Sequence, residues 1–189
     1  MTPALRRTVL VTAAGLIGGL ALASPAPAVV VDSGSESESY TFLDDDFCGE
    51  GLEVEITGTF QVRWRAVPHG PDGNVYYVAN SLTQNRLTNL ATKAYVEEVV
   101  RTNDRDQSIT VEEDTLLIEV LATGSARVRD QRGKLIAANP GQIRFEIRVP
   151  HNGTPTDPSD DGEAEFVQIT RPSTGRNDDF CEKVVPALR

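Results

Sequence analysis

From Leu52 to Ala66 the chain alternates without interruption. Leu52, Val54, Ile56, Phe60, Val62, Trp64 and Ala66 share one parity with Gly58, and Glu53, Glu55, Thr57, Thr59, Gln61, Arg63 and Arg65 occupy the other. Successive side chains of a strand point to opposite faces, so this segment is a long strand with one buried and one wet face. A helix would scatter the same residues around its axis. Gly58 is the expected place for a bend or bulge.

Turn signals at hairpin spacing divide the rest. Pro71, Asp72 and Gly73 lead into a strand over 75–82, and a turn over 88–93 precedes one over 94–101. Residues 103–107 separate that strand from 109–111, and 112–114 turn into 116–122. Gly124 allows a bend before 126–129, the turn 130–133 follows, and Asn139, Pro140 and Gly141 precede a strand over 142–149. A long polar loop, 151–162, leads to a last strand near 165–171. Only 178–185 suits a helix, with Asn177 or Asp178 as N-cap and Pro186 as a stop. Eight to ten short strands without helical crossovers predict an all-β antiparallel fold. The preferred form is an up-and-down barrel of about eight strands with a short C-terminal helix; a two-sheet sandwich is the alternative.

Residues 1–28 have the parts of an export signal: Arg6 and Arg7, an apolar run over 9–23, then Ser24, Pro25, Ala26, Pro27 and Ala28. Cleavage is expected before Val29, by general secretion in preference to the twin-arginine route that Arg6 and Arg7 also suggest. The apolar run is too short for a membrane-spanning helix. The remaining 161 of 189 residues suffice for one domain. They carry 16 of the 18 basic residues and all 28 acidic ones, a net charge of −12 that opposes binding nucleic acid or anionic lipid by bulk charge. Interleaved serines and glutamates make 29–47 a solvated, flexible acidic arm, followed by a β-domain over 48–185 and a tail over 186–189.

Cys48 and Cys181 are the two cysteines, and an even count in an exported chain favours a disulfide. Each follows the same sequence, Asp45, Asp46 and Phe47 in one case and Asp178, Asp179 and Phe180 in the other. Neighbouring carboxylates would raise a thiol pKa, which opposes a redox-catalytic role.

Few residue patterns carry chemistry. His69 and His151 are the two imidazoles, both beside turn residues, and no Gly-x-Ser-x-Gly elbow accompanies them. Asp157, Ser159 and Asp161 followed by Gly162 match the opening of a calcium loop, but Gln168 stands where a closing Glu belongs. Glu163 or Glu165 could take that place, and a plain hydrophilic turn explains the same residues. Trp64, Tyr77 and Tyr95 could line a barrel interior and hold a small apolar ligand, or simply fill a core. Glu53 and Glu55 read as a solvated strand face. Arg63, Arg65, Arg144 and Arg148 form a basic stripe unless Glu53, Glu55 and Glu146 pair with them. Asn152, Gly153 and Thr154 make a glycosylation sequon.

The chain resembles small exported β-rich proteins of actinobacteria with no assigned activity. The likeness covers most of the mature domain through Asp46, Phe47 and Cys48, through Thr88, Asn89 and Leu90, through 151–161 and through 175–181. It implies export and a single disulfide, and it supplies no catalytic residues. A looser architectural likeness to lipocalin-like and allene oxide cyclase-like barrels does not fix a function. The resulting expectation is a secreted, disulfide-stapled module that binds a partner or acts at the cell surface without catalysis. A barrel enzyme of isomerase or cyclase type acting on a small apolar substrate, and a calcium-stabilised adhesion module, stay open. Calcium is the single cofactor considered.

Overall fold

The computed structural model describes residues 30–189; the expected export signal and its expected cleavage point lie outside the described residues. The alternating segments form β1 (Asp32–Phe47), β2 (Leu52–His69), β3 (Asn74–Asn89), β4 (Tyr95–Glu112), β5 (Thr115–Asp130), β6 (Leu135–Pro150) and β7 (Glu165–Gly175), followed by α1 (Phe180–Leu188). All seven strands pair antiparallel in chain order within one sheet. The architecture is therefore all-β and antiparallel with one short C-terminal helix.

Strands are longer and fewer than the turn signals suggest because polar residues stay paired. Asn103, Asp104 and Arg105 bond to both neighbouring strands, so 103–107 is the middle of β4, with a bulge between Asp106 and Ser108. Gly124 faces Gly141 within a continuous β5–β6 ladder. Pro140 lies past the end of the β7 ladder, on a stretch with a strand on one side only, where a missing N–H is tolerated.

The expected flexible arm over 29–47 is mostly β1, in register with β2 from Asp32↔Ala66 to Asp44↔Val54. Its Ser and Glu alternation is that of an edge strand whose polar side chains discourage further pairing. Gly34 sits under the Trp64 ring, where a Cβ would collide with the indole. Gly58 neither bends nor bulges β2, since both ladders run through it. It makes room for Tyr40 of β1 to reach across β2 and donate from its hydroxyl to Asn85 Oδ1 of β3 at 2.5 Å.

The sheet does not close. β1 pairs only with β2 and β7 only with β6, so the barrel expectation gives way to an open sheet, which is in keeping with the sandwich alternative. β7 spans 11 residues, contains Pro172 and shifts register three times against β6, features that leave a poor edge for closure.

Register places the even-numbered residues of β2 on the face beneath α1, here the inner face. Its core is divided. At one end Phe47, Val54, Ile56, Leu87, Val96, Val128 and Ala137 bury against Val184, Val185 and Leu188 of α1. At the other, Leu116, Ile118, Val120 and Val149 form a second cluster. Between them the inner face interleaves Phe60, Val62 and Val100 with polar groups: Tyr40, Asn85 and Glu98 are hydrogen-bonded in series, and Ser81 and Thr102 share a bond of 2.7 Å.

Helix α1 starts later than expected, with Asp179 as N-cap accepting from the Glu182 N–H at 2.9 Å. Pro186 lies inside the helix and does not end it. The final turn is held from outside: the Leu188 carbonyl accepts from Asn89 Nδ2 at 3.1 Å and Thr92 Oγ1 at 2.8 Å. The buried Asn89 also takes the Ala91 and Thr92 N–H groups on its Oδ1. Cys48 and Cys181 are joined across a separation of 133 residues, tying the β1–β2 turn to the first turn of α1. Their preceding phenylalanines meet edge to face, with Phe47 and Phe180 ring centres 6.2 Å apart.

Candidate functional site

Trp64 and Tyr77 share the inner face, as an interior site requires, and both point at one carboxylate. Trp64 Nε1 donates to Asp32 Oδ2 at 3.1 Å, and the Tyr77 hydroxyl approaches the same oxygen at 3.5 Å. Tyr95 is not with them. It pairs with Thr88 and so lies on the outer face, where the Arg86 guanidinium sits 4.2 Å from its ring centre. The three expected pocket residues are thus split between faces, and an open sheet encloses no barrel interior.

Around Tyr77 the β3 and β4 strands part. Their ladder ends at Val78↔Arg105, and the Tyr77 N–H donates instead to Asp106 Oδ2 at 2.8 Å. Burial pushes the Asp106 carboxyl up to about 6, against the opposing pull of that hydrogen bond. Burial also raises Asp104. Tyr77 is pushed up to about 12, first by burial and then by the negative charges of Asp32 and Asp161. The arrangement keeps a neutral phenol beside carboxylates. Among the described residues no buried side-chain polar atom lacks a partner, so this corner is bonded to itself.

The 151–162 loop closes over this end. His151 is buried; its Nδ1 accepts from the Gly153 N–H at 3.1 Å, which leaves Nε2 protonated to donate to the Glu113 carbonyl at 3.0 Å. His69 stands edge-on to Tyr76. Among the described residues neither imidazole bonds a hydroxyl or carboxylate side chain, so no hydrolytic triad is assembled. Asp157 caps a single 3₁₀ turn, Pro158–Asp160, and its Oδ1 accepts both the N–H and the hydroxyl of Ser159. Those bonds hold Asp157 below its ordinary pKa. Asp161 is raised by burial and by Asp160. Among the described residues no group of three His, Cys, Asp or Glu side chains is placed to hold a metal. Asn152 of the sequon donates to the Asp160 carbonyl.

The outer face carries the stronger binding features. Arg144 pairs with Glu119 at 3.4 Å and Arg148 with Glu112 at 3.7 Å, not with Glu53, Glu55 or Glu146. Glu146 instead accepts from Gln168 Nε2. Arg63 and Arg65 make no ion pair among the described residues, and register brings further arginines without an ion pair onto their face, Arg129 of β5 among them. Arg65 aligns with Arg105 through Val78, while Arg101 and Arg127 follow on β4 and β5. Between them runs a groove of about 440 Å³ bordered by two cross-strand rows, Arg63, Asn80, Asn103 and Thr123 on one side and Gln61, Leu82, Arg101 and Ser125 on the other.

Arg101, Arg105 and Arg127 escape a sequence reading because one strand's parity does not say which strands lie beside it. The available signal was that Arg101, Asn103 and Arg105 share a parity. The inner face carries Asp32, Glu36, Glu38, Glu98, Asp104 and Asp106, whereas the outer face mixes these arginines with Glu55, Glu97, Glu119 and Glu146. No family model matches the chain, and no curated protein or solved structure matches it.

Proposed function

We propose that the chain is an exported, disulfide-clasped binding module, not an enzyme, and that it engages its partner outside the cell through the outer face of the sheet. One observation carries this reading: a groove across β2–β5 whose arginines make no ion pair among the described residues, on a chain whose residues 29–189 carry a net charge of −12. Like charges gathered on one face repel one another, so they are best satisfied by a ligand. The tripartite pattern of residues 1–28 supports export, and the Cys48–Cys181 disulfide fits an oxidising compartment. No helix of the described residues is long and apolar enough to cross a membrane.

Intact-mass measurement on protein recovered from a culture of the source cell tests the first half. The expected species begins at Val29 and lacks two cysteine hydrogens; a full-length cytosolic species with free thiols would refute export. The second half is tested by mixing the mature protein with isolated cell envelope. Adsorption that high salt reverses is expected, and absence of adsorption at low salt would remove the binding-module reading.

A further inference from the structure

We infer that the outer groove is a site for an acidic polysaccharide, a linear glycan bearing carboxylate or other oxyanion groups. The inference rests on the binding-module reading and assigns its ligand class. Two features of the groove select this chemistry. Its walls present exposed guanidinium groups, which take oxyanions through paired parallel N–H bonds. In the same two rows as the arginines stand Gln61, Asn80, Asn103, Thr123 and Ser125, side chains that match sugar hydroxyls as donors and acceptors.

Spacing agrees with a polyuronate chain of which every second carboxylate meets an arginine. Arg65 and Arg105 are two strand spacings apart, roughly 10 Å at their backbones, with Val78 between them. Arg63 and Arg101 lie on a diagonal of similar length through Asn80 and Asn103. An anionic group held at each arginine leaves intervening hydroxyls over the amides. A nucleic acid fits less well. Among the described residues no aromatic side chain lines the groove to stack a base. An apolar ligand fits least, because among the described residues Leu82 is the sole large aliphatic side chain presented to the groove, Val62 pointing to the inner face.

Titration calorimetry of the mature, oxidised protein tests this with polygalacturonate, neutral dextran and a single-stranded DNA oligomer. Binding to polygalacturonate that weakens with added salt is expected, with none to dextran and weaker binding to DNA. The double variant R63Q/R101Q should bind polygalacturonate at least about tenfold more weakly, the loss of two charge-assisted contacts. R144Q/R148Q, which removes arginines already paired with Glu119 and Glu112, should bind as the parent does. R63K/R101K guards against misfolding: it keeps the charge and loses the fork, and should fall between parent and R63Q/R101Q. The inference is overturned if polygalacturonate does not bind, if R63Q/R101Q binds it unchanged, or if DNA binds more tightly. Envelope adsorption that persists alongside any of these results would leave the binding-module reading standing and remove only the glycan.

Discussion

Replacing Cys181 with serine is expected to cost about 5 kcal/mol of folding stability, the chain-entropy value for a loop of this length, and not less than about 2 kcal/mol. The bond closes a separation of 133 residues, almost the whole described chain. Without it the unfolded ensemble gains the freedom of two independent ends, while the native state keeps Phe47 against Phe180 and the Asp179 cap. The loss is therefore felt chiefly in the unfolded state. At 2–4 °C per kcal/mol for a domain of this size, melting should fall by roughly 10–20 °C. Urea unfolding of C181S, and of the parent with and without reductant, checks this. Reduced parent and C181S should coincide. A change below about 1 kcal/mol would mean that the α1 contacts alone hold the ends together.

Lowering the pH from 7 to 5 is expected to stabilise the protein, and Asp106→Asn is expected to abolish most of that gain. The folded-state pKa of Asp106, about 6, stands above the ordinary value of 3.8. The native state therefore binds the proton more tightly than the unfolded chain does. Stability rises as pH falls through 6 towards 4, and the penalty of an ionised, largely buried carboxylate is fully present above 6. Two units correspond to about 3 kcal/mol, or about 2 kcal/mol after allowance for remaining exposure. Asp104, also raised by burial, acts in the same direction. Asp157 and Asp178, held low by Ser159 and Arg176, act oppositely but only in more acid solution. Asparagine keeps an oxygen to accept the Tyr77 N–H and carries no charge. At pH 7 the variant should thus exceed the parent by about 2 kcal/mol, and near pH 4 the two should converge. Denaturant unfolding at pH 4, 5, 6 and 7 reads both curves. A parent curve that is level or falls between pH 7 and 5 would contradict the buried-carboxylate argument.

Period two made the sheet legible, most clearly in β2, where seven apolar residues and Gly58 share a face. The cysteine pairing was equally plain, since two matched Asp-Asp-Phe-Cys segments flank the domain. What failed depends on neighbours. β1 reads as a linker because Ser and Glu alternation is common to solvated arms and edge strands, and only the Trp64 ring over Gly34 separates them. Residues 103–107 read as a turn because their polarity hides that both adjacent strands bond them. Tyr95 sits on the outer face because the turn after Asn89 sets its parity against Thr88, which composition does not reveal. The outer arginines illustrate the same limit: Arg63 and Arg65 were visible within one strand, whereas Arg101, Arg105 and Arg127 join them only through register.

Nuclear magnetic resonance of the mature protein, following the arginine Nε–H and backbone amide signals as polygalacturonate is added, tests most directly which face binds. Shifts should concentrate on Arg63, Arg101 and the amides of Asn80 and Asn103, leaving Trp64 Nε1–H undisturbed. Shifts centred on Trp64, Tyr77 and the 151–162 loop, with the arginine signals unmoved, would place recognition on the inner face and contradict the outer groove as the working surface.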